Sequence, residues 1–167
     1  MGMKNIIIQI YKEKYQKQVI SLISEIQQEE FDINISPDQQ PDLKEISNFY
    51  QKDNGNFWIA LDKNRVIGTI ALLDIGNNET ALRKMFVHKD YRGMDVAKKL
   101  LETLLQWARK RFIKTIYLGT TPAFLAAHRF YEKNGFIEIQ KEELPKNFPI
   151  MEVDKKFYKF IVMRETL

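Results

Sequence analysis

The stretch Met85-Phe86-Val87-His88-Lys89-Asp90-Tyr91-Arg92-Gly93-Met94-Asp95-Val96-Ala97 holds the clearest signal in the chain: an apolar strand pattern ends at an Arg-Gly turn, and a long amphipathic helix begins. The N–H groups in the first turn of a helix have no partner within the helix. Together with the positive end of the helix dipole they favour an anion. Gly93 allows the backbone to approach such an anion closely. We therefore interpret this segment as a helix start that faces a phosphate.

The residues after this turn alternate between helix and strand patterns. A helix pattern with a broad apolar face covers residues 94–111, and a short β-branched and aromatic run follows at 114–120. A second helix pattern covers residues 122–134 and ends at the pair Asn134-Gly135. Strand, helix, strand and helix in this order predict a parallel crossover.

The residues before the turn predict an antiparallel meander. Two strand patterns, at 56–61 and 66–74, are joined by a polar turn of hairpin length at 62–65. After the turn Gly76-Asn77-Asn78, a third strand is expected at 79–87. The crossover therefore lies beside an antiparallel part of the same sheet.

The first fifty residues predict one strand and two helices. Residues 4–10 are rich in Ile and indicate a strand at an edge of the sheet. Residues 12–30 repeat apolar positions at helical spacing. The pair Ser36-Pro37 indicates an N-cap followed by Pro in the first helical turn. A second short helix is therefore expected through the apolar positions Leu43, Ile46, Phe49 and Tyr50.

The last two strands are expected at residues 136–139 and 153–163. The whole pattern predicts an α/β fold with an α+β mixed sheet: about seven strands, mostly antiparallel with one parallel crossover, flanked by about four helices. A chain of 167 residues is long enough to bury one sizeable core. Residues 1–167 are therefore expected to form a single domain.

The composition excludes several classes of protein. With 0 Cys and 2 His, the chain has no disulfide framework, no thiolate nucleophile and no usual catalytic zinc site, so no metal is expected. Residues 1–20 lack the apolar core of a signal peptide, which favours a soluble, cytoplasmic protein without a membrane partner. The net charge of +4 suits a phosphorylated small ligand as well as a nucleic acid. We expect no nucleic acid partner because no stacking or groove-reading motif accompanies the charge.

These segments resemble the GNAT N-acetyltransferase superfamily, whose members bind acetyl-CoA, and most specifically over residues 79–139. The family pattern at the helix start is Arg or Gln, two residues, Gly, one residue, then Gly or Ala. Arg92 and Ala97 fit this pattern, and Asp95 takes the place of the usual Gly. A carboxylate there interacts with the helix dipole by about 0.3 to 1 kcal/mol, but it repels a pyrophosphate placed against the same amides. We expect an outward Asp95 side chain; the alternative is weakened CoA binding.

A second component of the resemblance is Ala127-His128-Arg129-Phe130-Tyr131-Glu132-Lys133-Asn134-Gly135-Phe136, which is similar to the family's second CoA-facing helix and the strand after it. In that family, the Tyr at the position of Tyr131 approaches the CoA sulfur and is proposed to protonate the leaving thiolate. Phe124 occupies a place where the family often has Asn, and Thr120 or Thr121 could replace its polar contact. The cofactor contacts that the resemblance implies are Phe86, Val87, Arg92, Gly93, Met94, Asp95, Val96, Ala97, Thr121 and Tyr131.

The resemblance implies direct attack of an amine on the acetyl thioester, without a covalent nucleophile. The backbone around Phe86 and Val87 is expected to pair with the pantetheine arm, because two parallel strands splay apart there. The amides of this backbone can then polarise the acetyl carbonyl.

The general base is the least defined residue of the predicted site. Many family members carry Glu at the position of Ala81, and Glu79 would lie on the same face of the strand. Glu79 is therefore the candidate base, and the other candidates are Glu138, Glu152 and Asp154.

Ordinary structural roles compete with these assignments. Tyr131 could be a core aromatic, and Glu79 a surface carboxylate. His88 and His128 are expected to be solvated or rim residues without a catalytic role. Whichever role Tyr131 has, the pairing of its segment with the Arg92-Gly93 turn carries the resemblance.

The sequence therefore predicts an N-acetyltransferase that transfers the acetyl group of acetyl-CoA to a primary amine of a small molecule, in a ternary complex. One alternative is a protein acetyltransferase that modifies an N-terminal or lysine amine of a peptide. Another is a non-catalytic acyl-CoA-binding or sensor domain, which Asp95 and Ala81 would suit. A homodimer is compatible with the sequence.

Overall fold

The computed structural model describes residues 5–31, 37–122 and 124–162. A seven-stranded sheet forms the centre of the molecule, in the order β1-β2-β3-β4-β5-β7-β6. All neighbouring strands are antiparallel except β4 and β5, which are parallel. This arrangement confirms the mixed sheet with one parallel crossover. The strands are β1 (Ile6–Ile10), β2 (Asn56–Asp62), β3 (Arg65–Gly76), β4 (Glu79–Val87), β5 (Thr115–Thr120), β6 (Ile137–Ile139) and β7 (Lys156–Ile161).

Four α-helices accompany the sheet, as expected: α1 (Gln16–Phe31), α2 (Ile46–Tyr50), α3 (Val96–Lys110) and α4 (Leu125–Lys133). The second predicted helix is shorter than its apolar pattern. A 3-10 turn at Pro41–Lys44 precedes α2, and Glu45 between them has non-helical dihedral angles, with φ −136° and ψ 51°. The predicted cap Ser36 lies outside the described residues. No helix in the described part of the chain is both long and apolar enough to cross a membrane.

The sheet separates two main cores. The larger one contains the buried face of α3, including Leu100 and Leu104, together with Ile116 and Leu118 of β5. The other contains the buried face of α1 and reaches α2. The side chain of Tyr117, between Ile116 and Leu118, points to the opposite face. There it packs against a smaller cluster around Ala81 and Phe157. Alternate residues of β5 therefore serve different faces of the sheet.

Strand β4 contains an irregularity that the sequence pattern does not predict. The register with β3 changes between Thr69 and Ala71, which pair with Phe86 and Arg83. Lys84 lies in this interval with a positive φ of 56°. An extra residue in one strand is a β-bulge, which bends the strand and re-aims its side chains. The bulge therefore changes the direction of β4 just before its last residues.

Candidate active site

The site is built around the place where β4 and β5 separate. The two strands pair only at Glu79↔Thr115, Thr80↔Ile116 and Ala81↔Tyr117. Beyond these pairs β4 stays beside β3, and β5 stays beside β7. Residues 82–87 of β4 and 118–120 of β5 therefore border an opening, which we name the β4–β5 gap. This is the splay that the resemblance implies.

A cavity of about 410 Å³ lies at the carboxyl end of β4. Residues from α1, β4, the turn after β4, α3 and α4 meet here, so both faces of the sheet contribute. Crevices outside the carboxyl ends of parallel strands are common ligand sites in sheets with helical crossovers. The cavity is lined by Ile26, Met85, Phe86, Val87, Tyr91, Arg92, Gly93, Asp95, Val96, Ala97, Lys98, Phe124, Ala126, Ala127 and Phe130.

The turn before α3 presents the start of this helix to the cavity. Two residues of the turn have left-handed backbones: Gly93 with φ 80° and Asp95 with φ 61°. The carbonyl of Asp95 accepts the first intrahelical bond, from the N–H of Lys99 at 3.0 Å. The N–H groups of the residues between them have no carbonyl partner within an α-helix. Three such residues, Val96, Ala97 and Lys98, line the cavity.

The backbone angle of Asp95 gives a physical reason for the usual Gly at this position. Left-handed angles cost most residues roughly 1–2 kcal/mol, whereas Gly adopts them freely and Asp tolerates them better than most. The Asp95 side chain is exposed and makes no capping hydrogen bond. Asp can therefore replace Gly here without preventing the turn.

Arg92 connects the ends of two elements beside the cavity. Its Nε and Nη2 atoms donate to the carbonyl oxygen of Val87 at 3.1 and 3.0 Å. Its Nη1 atom lies 2.5 Å from Oε1 of Glu30, near the end of α1. The side chain is 45% exposed, so solvent and salt screen this ion pair. Arg92 thus places a cation at the edge of the cavity and fixes the end of α1 over β4.

Helix α4 and the residue before it give the cavity an apolar side. The lining residues here are Phe124, which precedes the helix, and Ala126, Ala127 and Phe130 within it. Phe124 therefore makes an apolar surface at a position where the family often has a polar side chain. Thr121 and Met94, both expected to contact the cofactor, are not among the described residues that line the cavity. Met94 is 43% exposed.

Tyr131 lies in the core rather than at the cavity surface. Only 6% of it is exposed, and its ring packs against those of Phe130, Phe136 and Tyr158 at centroid distances of 6.0, 5.3 and 6.0 Å. Burial, followed by the neighbouring Tyr158, raises the pKa of Tyr131 well above its ordinary value of 10.0. The phenol therefore stays protonated at neutral pH, as a proton donor must.

Glu79 is at the wrong end of β4 to reach the cavity. It begins the strand, pairs with Thr115, and accepts a hydrogen bond from the Tyr117 hydroxyl at 3.1 Å. The eight residue steps to Val87 correspond to about 25 Å of extended chain. Glu79 shares a strand face with Ala81 but lies far from the cavity. We therefore do not assign it a catalytic role.

Of the remaining candidate carboxylates, Glu138 lies in β6, and Glu152 and Asp154 lie in the loop before β7. Glu138 lies 3.5 Å from the ammonium of Lys156, and Glu152 is exposed. Asp154 is different, because one of its oxygens accepts a hydrogen bond from the Met151 N–H at 3.1 Å and its side chain lies against Gly119 of β5. Only Asp154 lies beside a residue that borders the β4–β5 gap.

The two histidines are buried, so the prediction of solvated or rim positions was wrong. His88 is 8% exposed, and its Nδ1 atom accepts a hydrogen bond from the Asp90 N–H at 3.1 Å. His128 is 7% exposed, and its Nε2 atom donates to the Thr121 carbonyl at 3.0 Å. One nitrogen of each ring is bonded to a nearby backbone group, and Nε2 of His88 also lies 3.3 Å from Nη2 of Arg65. The described residues contain no group of three or more His, Asp or Glu side chains that could hold a metal ion.

A buried polar cluster beside β4 was not predicted from the sequence. The Lys84 ammonium lies 3.4 Å from Oδ2 of Asp42 and 2.6 Å from Oε1 of Gln40. Gln40 also exchanges side-chain hydrogen bonds with Gln27 of α1, and the Tyr50 hydroxyl donates to Asp42. Burial lowers the pKa of Lys84, and Asp42 opposes that shift. The only sequence signal was the pair Arg83-Lys84 inside an otherwise apolar strand pattern.

The sequence model described as the "Acetyltransferase (GNAT) family" matches residues 20–136. An acetyltransferase of the GNAT family from Staphylococcus aureus Mu50 superposes with a TM-score of 0.92 and 41% identity, covering 95% of this chain and 100% of that one. An acetyltransferase from Streptococcus agalactiae 2603 gives a TM-score of 0.90 and 32% identity, over 95% of this chain and 99% of that one.

A curated protein is similar to the part of the chain that contains the site. N-acetylaspartate synthetase from Xenopus tropicalis is 38% identical over 99 residues, which are 57% of this chain and 36% of that protein. The chain thus spans little more than a third of the length of this relative. The family match covers the opened strand pair and the start of α3 in one continuous segment. The chain belongs to the GNAT acetyltransferase family.

Proposed function

We propose that this protein is an acetyl-CoA-dependent acyltransferase that acetylates a primary amine by direct attack in a ternary complex. The observation that carries the proposal is the β4–β5 gap, which opens into a cavity at the start of α3. An opened strand edge and a free helix start at one place suit a long ligand with an extended arm and a phosphate end.

The chemistry of the cavity lining suits the arm and the pyrophosphate of acetyl-CoA. The cavity volume of about 410 Å³ lies in the usual range for small-molecule sites. Ile26, Phe86 and Phe130 give it apolar sides, which suit the pantetheine arm. The free N–H groups at the start of α3, with Lys98 beside them, suit a pyrophosphate.

The open edge of β4 is suited to hold the pantetheine arm. Residues 82–87 pair with β3 on one side and have separated from β5 on the other. An extended amide-containing chain can bind such an edge in the way that a peptide adds to a sheet. The backbone of Phe86 and Val87 then lies along the arm, and the thioester at its far end lies towards the start of the β4–β5 gap, where a backbone N–H group of β4 can polarise the carbonyl.

Acetyl-CoA supplies an activated acetyl group, and the protein supplies orientation and proton transfers. The amine nitrogen forms a bond to the acetyl carbon and loses one proton, the carbon–sulfur bond breaks, and the sulfur leaves as a thiolate that gains one proton. We assign this proton donor to Tyr131 because of the family resemblance, and because Ala127 and Phe130 of the same helix line the cavity.

The relatives favour a small amine over a peptide as the acceptor. The name of the Xenopus relative gives N-acetylaspartate as its product, whose amine belongs to a single amino acid. Because this chain corresponds to 36% of that protein, its own acceptor requires direct measurement.

Two measurements on the full chain test the proposal. Calorimetry should show acetyl-CoA binding at millimolar concentration or tighter, in the typical range for such substrates. Release of CoA should then depend on an added amine, in a panel of amino acids, polyamines, aminoglycosides and peptides. Absence of acetyl-CoA binding would contradict the proposal. Binding without turnover across the panel would favour the acyl-CoA sensor instead.

A further inference from the structure

Two charged side chains lie where the β4–β5 gap begins, next to the last residue pair that joins the two strands. Ala81 pairs with Tyr117, and the next residues on the same face of the two strands are Arg83 and Gly119. Strand pairing has ended at this level, so Arg83 and Gly119 border the start of the gap. The Arg83 guanidinium lies over the rings of Phe49 and Tyr50, which places it on the α2 side of the sheet.

Gly119 has no side chain, and the carboxylate of Asp154 occupies that space. A Cβ atom built on Gly119 would lie 2.6 Å from Oδ2 and 2.8 Å from Cγ of Asp154, closer than real contacts allow. The Met151 N–H holds the same Oδ2 at 3.1 Å. Burial raises the pKa of Asp154, while this N–H and the charge of Arg83 oppose the shift. A partly desolvated carboxylate is therefore fixed at the border of the gap.

Arg83 has contacts that orient its guanidinium without neutralising it. Its ring contacts are at 5.7 Å from the Phe49 centroid and 5.9 Å from the Tyr50 centroid, and its Nη2 atom lies 3.8 Å from the Met151 sulfur. Over the described ranges, Arg83 makes no ion pair with a carboxylate. A planar guanidinium held by aromatic rings retains N–H groups that can bind a carboxylate in a bidentate manner.

Met151 lies between the two charges. Its sulfur contacts Arg83, and its N–H contacts Asp154. The start of the gap therefore carries a cation from β4 and an anion held against β5, separated by one residue. This is the charge pattern complementary to a zwitterion, which carries an ammonium and a carboxylate on one small molecule.

We propose that Arg83 and Asp154 form the acceptor subsite, and that the acceptor is a free amino acid or a similar amine that carries a carboxylate. Arg83 binds the carboxylate of the acceptor. The ammonium lies against Asp154 and transfers one proton to its carboxylate, which leaves the neutral amine that attacks the thioester; the second proton that the nitrogen loses balances the one that the leaving thiolate gains. This inference rests on the proposed acetyl transfer to an amine.

The first test compares each amino acid with its carboxamide, which keeps the amine and removes the carboxylate charge. In the unaltered protein, kcat/KM should be about tenfold or more higher for the amino acid, since hydrogen bonds between charged groups have this magnitude. Arg83→Gln should raise KM for the amino acid by about the same factor and leave the carboxamide unchanged. Arg109→Gln, which changes an exposed arginine at the end of α3, is the matched control and should have no effect.

The second test concerns the proton acceptor. Asp154→Asn should lower kcat by about 100-fold or more, in the range of general base catalysis, while calorimetry shows unchanged acetyl-CoA affinity. Because Asp154 must be ionised to accept a proton, activity should fall as pH decreases through its raised pKa, and the variant should lose this acidic limb. Gly119→Ala, which displaces the carboxylate, should act in the same direction.

The outcomes separate this inference from the proposed function. Equal turnover of amino acids and carboxamides, or an unchanged pH profile in Asp154→Asn, would overturn the subsite and leave acetyl transfer intact. If the unaltered protein released no CoA with any amine, the proposed function would fail and the subsite with it. Thermal unfolding of each variant shows whether a loss comes from misfolding instead.

Discussion

The two edges of β4 differ sharply. Toward β3, the strand pairs from Glu79 to Val87, with register irregularities at two places and a tight turn at the hairpin. Toward β5, it pairs at three positions and then separates. The β3 edge joins an antiparallel hairpin with short loops, whereas the β5 edge joins a parallel partner that is reached through α3. One strand thus provides a closed edge that stabilises the sheet and an open edge that is available to a ligand.

The two edges also differ in burial and in the groups that surround them. At the closed edge, the backbone groups of β4 are bonded to β3. Residues of β3 such as Ile70 and Leu72 have no exposure. The open edge has the cavity, the start of α3 and the charged pair Arg83 and Asp154 around it. Variants at the open edge should therefore change binding and turnover with little loss of stability.

The largest effect is expected from Tyr131→Phe. If Tyr131 protonates the leaving thiolate of CoA, kcat should fall by about 100-fold or more, while acetyl-CoA affinity should change less than about twofold. Tyr158→Phe is the matched control, because it removes a hydroxyl from a ring 6.0 Å away whose oxygen donates to Glu132 instead. Steady-state kinetics and calorimetry check both variants. Unchanged turnover in Tyr131→Phe would make this residue a core aromatic only.

A smaller effect is expected from Ala97→Glu, which introduces a carboxylate where α3 borders the cavity. Repulsion of the pyrophosphate should weaken acetyl-CoA binding by about 10- to 30-fold. Lys99→Glu removes more positive charge from the exposed face of the same helix and serves as the control. Calorimetry should show a much smaller change for the control. Equal losses would mean that the net charge, rather than the open edge, governs binding.

Arg92→Gln should weaken acetyl-CoA binding by about fivefold, because exposed charge contacts contribute modestly. A second substitution shows how Arg92 acts. If Arg92 binds phosphate directly, the loss should shrink at high salt, and Glu30→Gln should leave affinity unchanged. If Arg92 acts by fixing α1 to β4, Glu30→Gln should reproduce the loss. Full affinity in Arg92→Gln would remove this residue from the site.

The smallest effect is expected at Asp95. Asp95→Gly should tighten acetyl-CoA binding by about two- to threefold, because it removes a carboxylate near the pyrophosphate and suits the left-handed backbone. Asp95→Asn removes the charge and keeps a side chain that tolerates this backbone. A gain shared by both variants assigns the effect to charge, and a gain only in Asp95→Gly assigns it to the backbone. Weaker binding in both would show that the carboxylate supports the site.

Much of the fold could be predicted because its patterns are local. The meander follows from alternating residues and polar turns, and α3 follows from its apolar face. The bulge at Lys84 could not be predicted, since it depends on how β3 and β4 align and on the buried partners Asp42 and Gln40. The short α2 reflects the non-helical backbone at Glu45, which its apolar spacing does not reveal.

The part of the site that a local motif encodes could be predicted. The part that depends on contacts between distant segments of the chain could not. Residues of the turn after β4 line the cavity, as the Arg92-Gly93 motif indicated. Glu79 was misplaced because strand alternation gives the face of a residue but not its distance from the site. His88 and His128 are buried and bonded to backbone groups, and sequence spacing shows neither property. Asp154 reaches the gap only because the loop before β7 packs on Gly119.

Amide hydrogen exchange with and without saturating acetyl-CoA would show whether the open edge of β4 binds the ligand, because it reports on this strand independently of turnover. We expect slower exchange in peptides that cover residues 82–98, which include the open edge and the start of α3. Peptides that cover β2 and the first half of β3 should exchange at unchanged rates. Unchanged exchange over residues 82–98 at saturation, with protection elsewhere, would mean that acetyl-CoA binds at another place.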